Sequence, residues 1–196
     1  MIVSGAPGAG KSTLAAPLAR ALDFPLLTKD VIKQTLFDCL GHIDGDPLAS
    51  SRRLGGAAME MLWRLAADSP AVVIEANFRT RSEHERLRVI ELCERPVEVH
   101  CSVPVEVAAS RFAERARRQD HHPVHVASSM PLDFFKQFTQ PFGVGPVLVV
   151  DATSKVDIRD LTTRVRRSLK AAHADSAAPG ALGRAGGSAQ PGKHGR

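Results

Sequence analysis

A chain of 196 residues, 43% hydrophobic and 24% charged, has the size and composition of one α/β domain with a full core. No stretch reaches the roughly 18 uninterrupted apolar residues of a membrane-spanning helix. Cys39, Cys93 and Cys101 show no C-x-x-C spacing, which argues against a disulfide scaffold; they read as reduced, mostly buried thiols of a cytoplasmic protein.

Met1-Ile2-Val3-Ser4 is an apolar strand, short for a central one, and its start lies upstream of Met1 or its end frays. Residues 5–12 then read Gly-Ala-Pro-Gly-Ala-Gly-Lys-Ser, the phosphate-binding pattern G-x-x-x-x-G-K-[ST]. In such a loop, here Gly5, Ala6, Pro7, Gly8, Ala9 and Gly10, the glycines let the backbone curl so that successive N–H groups face one anion. Lys11 is placed to reach the β- and γ-phosphates of ATP, Ser12 to ligand Mg²⁺, and Thr13 completes the nucleotide-binding set. Helix 1 begins near Lys11, which adds its N-terminal dipole to that field, and ends near Asp23; Pro17 bends it.

Phe24–Thr28 reads as strand 2. Helix 2 spans about Val31 to Leu40, with Val31, Ile32, Leu36 and Leu40 at helical spacing. After a polar turn at Gly41–Pro47, helix 3 covers about Ser50 to Asp68, with Leu54, Ala57, Ala58, Met61, Leu62 and Leu65 on one side. Ala71–Glu75 is a continuous apolar run ending in an acid, the mark of a buried parallel strand. Helix 4 follows at about Ser82–Glu94, opened by Ser82 and Glu85 as a capping box. Then come strand 4 (Val97–Val103), helix 5 (about Val105–Gln119), a short helix near Leu132–Thr139, strand 5 (Val147–Val150) and a last helix at about Val156–Ala172. Alternation of this kind implies a parallel sheet covered on both faces. The segment from Ala174 to Arg196 is rich in Gly, Ala, Pro and Ser without periodicity, and is expected to be disordered. It carries +2 of the net +5 (Arg184, Lys193 and Arg196 against Asp175), so a general nucleic-acid surface is a weaker inference than the basic balance suggests.

Three features sort the chemistry. Asp30, in Thr28-Lys29-Asp30, stands at the carboxyl end of strand 2, where an open parallel sheet forms its ligand crevice. It is placed to accept a proton from an acceptor hydroxyl and also to N-cap helix 2. Glu75 ends strand 3 and suits either an acid that orients Mg²⁺ or a solvated strand terminus. Arg111, Arg115 and Arg118 recur on one face of helix 5, fit for stabilising a moving phosphoryl group or simply for facing solvent. Gln34, Asp38, Arg52, Arg53, Asn77 and Arg79 are candidate acceptor contacts.

With these residues in place the chain resembles the small P-loop kinases of the zeta-toxin, chloramphenicol-phosphotransferase and polynucleotide-kinase type, and in particular bacterial ATP-binding kinase-like proteins with an AAA domain. The matching elements are Gly5–Thr13, Lys29-Asp30 with Lys33, Val73–Asn77, Cys101–Pro104 leading to Arg111 and Arg115, His122–His125 and Val149–Thr153. The resemblance implies a three-layer α/β P-loop fold over residues 1–173 with strand order 2-3-1-4-5. It also implies Asp30 as general base, Arg111 and Arg115 on a lid (about 105–130) over the triphosphate, and Asp151 and Thr153 near the adenine. Two departures stand out: Lys33 where the polynucleotide-kinase branch carries Arg, and Asp120-His121 where many relatives have Arg before His-Pro.

The expectation is an ATP- and Mg²⁺-dependent phosphotransferase acting on a small-molecule hydroxyl. An ATP-binding module or ATPase without acceptor chemistry, a polynucleotide 5′-hydroxyl kinase, a GTPase suggested by Ser154-Lys155-Val156-Asp157, and a zinc site at His121, His122 and His125 are the alternatives.

Overall fold

The computed structural model describes residues 1–118 and 121–177. Five parallel strands, β1 (Ile2–Gly5), β2 (Leu26–Thr28), β3 (Val73–Glu75), β4 (Glu98–Ser102) and β5 (Val147–Asp151), form one sheet in the order β2-β3-β1-β4-β5. This is the expected three-layer α/β P-loop kinase architecture. Strand β1 is short but wholly buried, because it is paired on both sides: Ile2 faces Ile74 of β3 and Glu98 of β4.

Side-chain alternation divides the core in two. Val3, Val73 and Val99 point to one face with Leu14 and Leu18 of α1 (Lys11–Leu22), Phe135 of α6 (Leu132–Lys136) and Leu161 and Val165 of α7 (Ile158–Ala177). Ile2 and Ile74 point to the other with Leu62 and Trp63 of α3 (Pro47–Ala67) and Val89 of α4 (Glu83–Leu92). The remaining helices are α2 (Lys29–Leu40) and α5 (Val105–Ala116). No helix among the described residues is long and apolar enough to cross a membrane.

Several details differ from the sequence expectation. Helix α3 starts at Pro47 because the Asp46 carboxylate caps it, accepting from Leu48 N at 3.2 Å and Ala49 N at 2.9 Å. Its buried stripe is Leu54, Ala58, Leu62, Trp63 and Ala66, while Met61 and Leu65 are exposed. The capping box at α4 is half formed: Ser82 Oγ accepts the Glu85 N–H at 3.3 Å, but the Glu85 carboxylate turns to Arg79 instead. Of the cysteines only Cys101 is buried. Cys39 sits on the outer side of the last turn of α2 and Cys93 ends α4, both in contact with solvent. Helix α7 runs on to Ala177, past the expected boundary at 173; the rest of the expected tail, 178–196, lies outside the described residues, as do Gln119 and Asp120 of the expected lid.

Candidate active site

The central strand delivers its carboxyl end into a loop whose backbone is shaped for an anion. Gly8 and Gly10 hold left-handed conformations (φ 82° and 88°), and Ala9 N closes a turn on Ala6 O at 3.0 Å. Helix α1 opens behind the loop with no side-chain cap and no acid in its first turn. Its first N–H groups and dipole therefore face an anion site unopposed. Lys11 is 6% exposed and folds its ammonium back across the loop onto Ala6 O at 2.9 Å. Burial pulls its pKa down, while the carboxylates of Glu75 and Asp30 oppose the shift and the Arg115 guanidinium reinforces it. These four charges share one small region of the crevice.

Glu75 ends β3 beside the loop, 4% exposed, and its Oε2 accepts from Ser12 Oγ at 3.1 Å. Desolvation raises its pKa; Lys11 and the Ser12 hydroxyl hold it down. A hydroxyl and a buried acid converging at the start of α1 is a donor set of hard oxygens, which suits Mg²⁺.

Across the crevice, Asp30 sits in the first turn of α2, half-buried, one residue inside a helix whose N-cap position is Thr28. Its carboxylate makes no hydrogen bond among the described residues, so it is not tied up in capping. It lines a cleft of about 230 Å³ together with Gln34, Arg115 and Arg118, and with His121, His122 and His125 from the segment after α5. A larger apolar pocket, about 390 Å³, lies among Met1, Phe24, Val72, Leu92 and Val97, and takes in no P-loop residue. The smaller, polar cleft is the one that takes in Asp30, the carboxylate at the carboxyl end of the sheet.

That cleft has a firmly held wall. Lys33, not one of the predicted apolar residues, is the buried side chain of α2, and Val31 and Leu40 are 57% and 59% exposed. Lys33 Nζ donates to Ser51 Oγ and Ser51 Oγ to Val124 O, each at 2.7 Å. Gln34 Nε2 meets His125 Nε2 at 3.2 Å, and His122 Nε2 meets Asp38 Oδ1 at 3.0 Å. Residues 121–125 are thus fastened to α2 and α3. Sequence spacing flagged these histidines but gave no sign of Ser51 as their anchor.

The predicted arginines part company. Arg111 donates to Ala152 O at 2.9 Å and Thr153 O at 3.1 Å, holding the loop after β5. In that loop Asp151 Oδ1 accepts the Thr153 N–H (2.9 Å) and hydroxyl (2.7 Å), which lowers the Asp151 pKa. Arg115 stacks over Phe112, 5.7 Å from its ring centre, and faces the cleft. Of the candidate acceptor contacts, Gln34 lines the cleft. Arg53 is paired with Asp44 and Arg79 with Glu85, each at 2.7 Å.

Comparison with known proteins bears on the family and the fold. The profile of a family described as AAA domain matches residues 1–141. The chain is similar to an adenylyl-sulfate kinase of Shewanella pealeana, 37% identical over 114 residues that cover 55% of this chain and 53% of that protein; the chain spans about half the length of that relative. It is also similar to the adenylyl-sulfate kinase of Shewanella baltica, 31% identical over 170 residues that cover 83% of this chain and 76% of the relative. A crystal structure of a Chloroflexus aurantiacus protein, provisionally named a kinase, superposes with a TM-score of 0.73 at 31% identity, covering 85% of this chain and 96% of that one.

Proposed function

Because the chain belongs to the AAA domain family and has the P-loop kinase fold, we propose that it is an ATP-dependent phosphotransferase acting on a hydroxyl of a small molecule, with Asp30 as general base. The observation that carries this reading is the Asp30 carboxylate: without a hydrogen bond among the described residues, in a cleft of small-molecule size, near Lys11. In the step envisaged, Asp30 takes the acceptor's hydroxyl proton as its oxygen bonds to the γ-phosphorus. The bond to the β–γ bridging oxygen breaks, and ADP leaves with that electron pair. Lys11, the N–H groups opening α1, and Arg115 meet the charge on the transferring group. Ser12, with Glu75 directly or through water, would hold Mg²⁺, which supplies charge neutralisation at the phosphate oxygens.

Arg111 serves the nucleotide indirectly in this reading, by fixing the Asp151–Thr153 loop against which the adenine rests. The adenylyl-sulfate kinase relatives support transfer to a hydroxyl. The narrower likeness to the zeta-toxin and chloramphenicol-phosphotransferase group rests on the motif residues alone.

Incubation with Mg²⁺-ATP and a pooled metabolite library, scored by the mass gain of one phosphoryl group, tests the proposal. Asp30→Asn is expected to retain ATP affinity while losing about 10²–10⁴-fold in turnover, and Lys11→Ala to lose both. Undiminished turnover in Asp30→Asn removes the base assignment.

A further inference from the structure

Resting on the reading of this cleft as the acceptor site, we infer that His125 selects acceptors with a second oxygen beside the hydroxyl to be phosphorylated, so that the substrate is a polyhydroxylated compound and not a simple alcohol. Hydrogen-bond partners assign the ring protons. An amide nitrogen only donates, so the Gln34 Nε2 at 3.2 Å makes His125 Nε2 an acceptor and puts the proton of the neutral ring on Nδ1. His122 has both nitrogens engaged: Nε2 donates to Asp38 Oδ1 at 3.0 Å and Nδ1 accepts Val124 N–H at 3.2 Å. His121 Nε2 donates to the His125 carbonyl at 2.9 Å, and in the neutral ring that leaves Nδ1 with a lone pair. Two rings lining the cleft beside Asp30 therefore keep one N–H and one lone pair that no hydrogen bond among the described residues uses. A hydroxyl is the group that both donates and accepts, and neighbouring hydroxyls match such an alternation.

The charge state of the His125 ring supports a hydroxyl partner over an anion, the positive charges lining the cleft being those of Arg115 and Arg118. Burial lowers the His125 pKa to about 4; Asp30 on α2 opposes this, while Lys33 on α2, His121 on its own segment and Arg115 on α5 reinforce it. The ring is thus neutral at physiological pH, a donor without a charge for a phosphate or carboxylate. It is also rigidly held. Val124 is 1% exposed, its carbonyl is fixed by Ser51, and His125 N bonds His122 O at 3.0 Å. A fixed, uncharged donor discriminates by what it leaves unpaired.

The test uses the full chain, Mg²⁺-ATP and matched probes differing in neighbouring hydroxyls: ribitol against 1-pentanol, glycerol against 1-propanol, and myo-inositol against cyclohexanol, with phosphorylated product measured by mass. At least one polyol is expected to exceed its partner by about 100-fold or more in kcat/KM, because the plain alcohol leaves buried polar groups without partners. His125→Phe is expected to raise the KM of that polyol about tenfold or more, a loss in KM and not in kcat. Gln34→Glu places a carboxylate against Nε2 and draws a second proton onto the ring. It is expected to make the acceptor KM vary with pH between about 5 and 8 more steeply than the wild-type KM does. Equal use of the plain alcohols overturns the assignment, and so does a preference that survives both substitutions unchanged. Phosphorylation of library compounds but of none of these polyols overturns it while the phosphotransferase reading stands. Transfer to no acceptor at all, with ATP bound, overturns both.

Discussion

Gly8 and Gly10 offer a controlled comparison within one loop. Both have positive φ, 82° and 88°, so alanine at either incurs the same left-handed strain, about 1–2 kcal/mol. Their surroundings differ. A Cβ on Gly8 would lie 2.3 Å from the Ala108 carbonyl oxygen and 3.1 Å from Phe112 N, both backbone atoms of α5; on Gly10 it would meet nothing within 4 Å. Backbone within a packed helix yields only by moving the helix, an overpacking cost of about 1–3 kcal/mol. Gly10→Ala is thus expected to lose about 1–2 kcal/mol and Gly8→Ala about 2–5 kcal/mol. Urea denaturation of the nucleotide-free protein measures this, because it separates packing from any effect on the bound triphosphate. Equal losses for the two would refute the claim that the loop is seated on α5, and with it the placement of Arg115 beside Lys11.

The buried polar group under the sheet gives a second expectation. Glu98, fully buried, accepts from the Ser4 hydroxyl, from Phe142 N at 2.8 Å and from Gly143 N at 2.7 Å. Glu98→Gln leaves one of these donors facing an amide N–H and is expected to lose about 3 kcal/mol in urea; a loss below about 1 kcal/mol would show the contacts to be marginal. Acid sensitivity follows from His100 and His125, both lowered by burial, His125 to about 4. Since the neutral forms are the folded ones, their stabilisation is complete above the unfolded pKa of about 6.5 and is lost as pH falls through the folded values. Stability measured from pH 7.5 downward should therefore decline, less steeply in His100→Gln than in wild type; identical slopes would contradict the assignment to His100. Finally, Arg111→Ala should weaken AMP and ATP to a similar degree by calorimetry, because its bonds go to Ala152 and Thr153. A loss confined to ATP would place this guanidinium on the triphosphate.

What the sequence discloses depends on how local the determining physics is. The phosphate loop is legible because glycine positions, the lysine and the preceding apolar strand are contiguous; the candidates Asp30 and Glu75 are legible because one lies two residues past the end of β2 and the other ends β3. Helix α2 misleads in part: Ile32 packs against the core as its spacing suggests, but Val31 and Leu40 are exposed and the buried side chain is Lys33, whose partner Ser51 lies on α3. Glu98 and His100 pass for ordinary polar strand residues. The register of β1 with β4 sets them on the same face as Ser4, and Phe142 and Gly143 supply the N–H groups. Ser51 and Val124 are 73 positions apart, and no local pattern announces their bond. The start of α3 was readable, since Asp46-Pro47 is a cap followed by a first-turn proline.

The two sides of the crevice are held by different means, and this bears on what each can change. The proposed nucleotide side is made of backbone: N–H groups of a loop clamped between the central strand and α5, where a Cβ at Gly8 would collide with backbone. Side-chain substitution there has little to vary except Lys11 and Ser12. The proposed acceptor side is made of side chains on α2 and α3 and of residues 121–125, joined by Gln34–His125, Asp38–His122 and Ser51–Val124 contacts, none of them to a strand residue. On the proposed reading, changing Gln34 or His125 would alter which acceptor oxygens find partners while leaving the sheet intact. Acceptor choice should therefore respond to substitution at these positions while nucleotide affinity does not, and the paired-alcohol kinetics read both quantities from the same titrations.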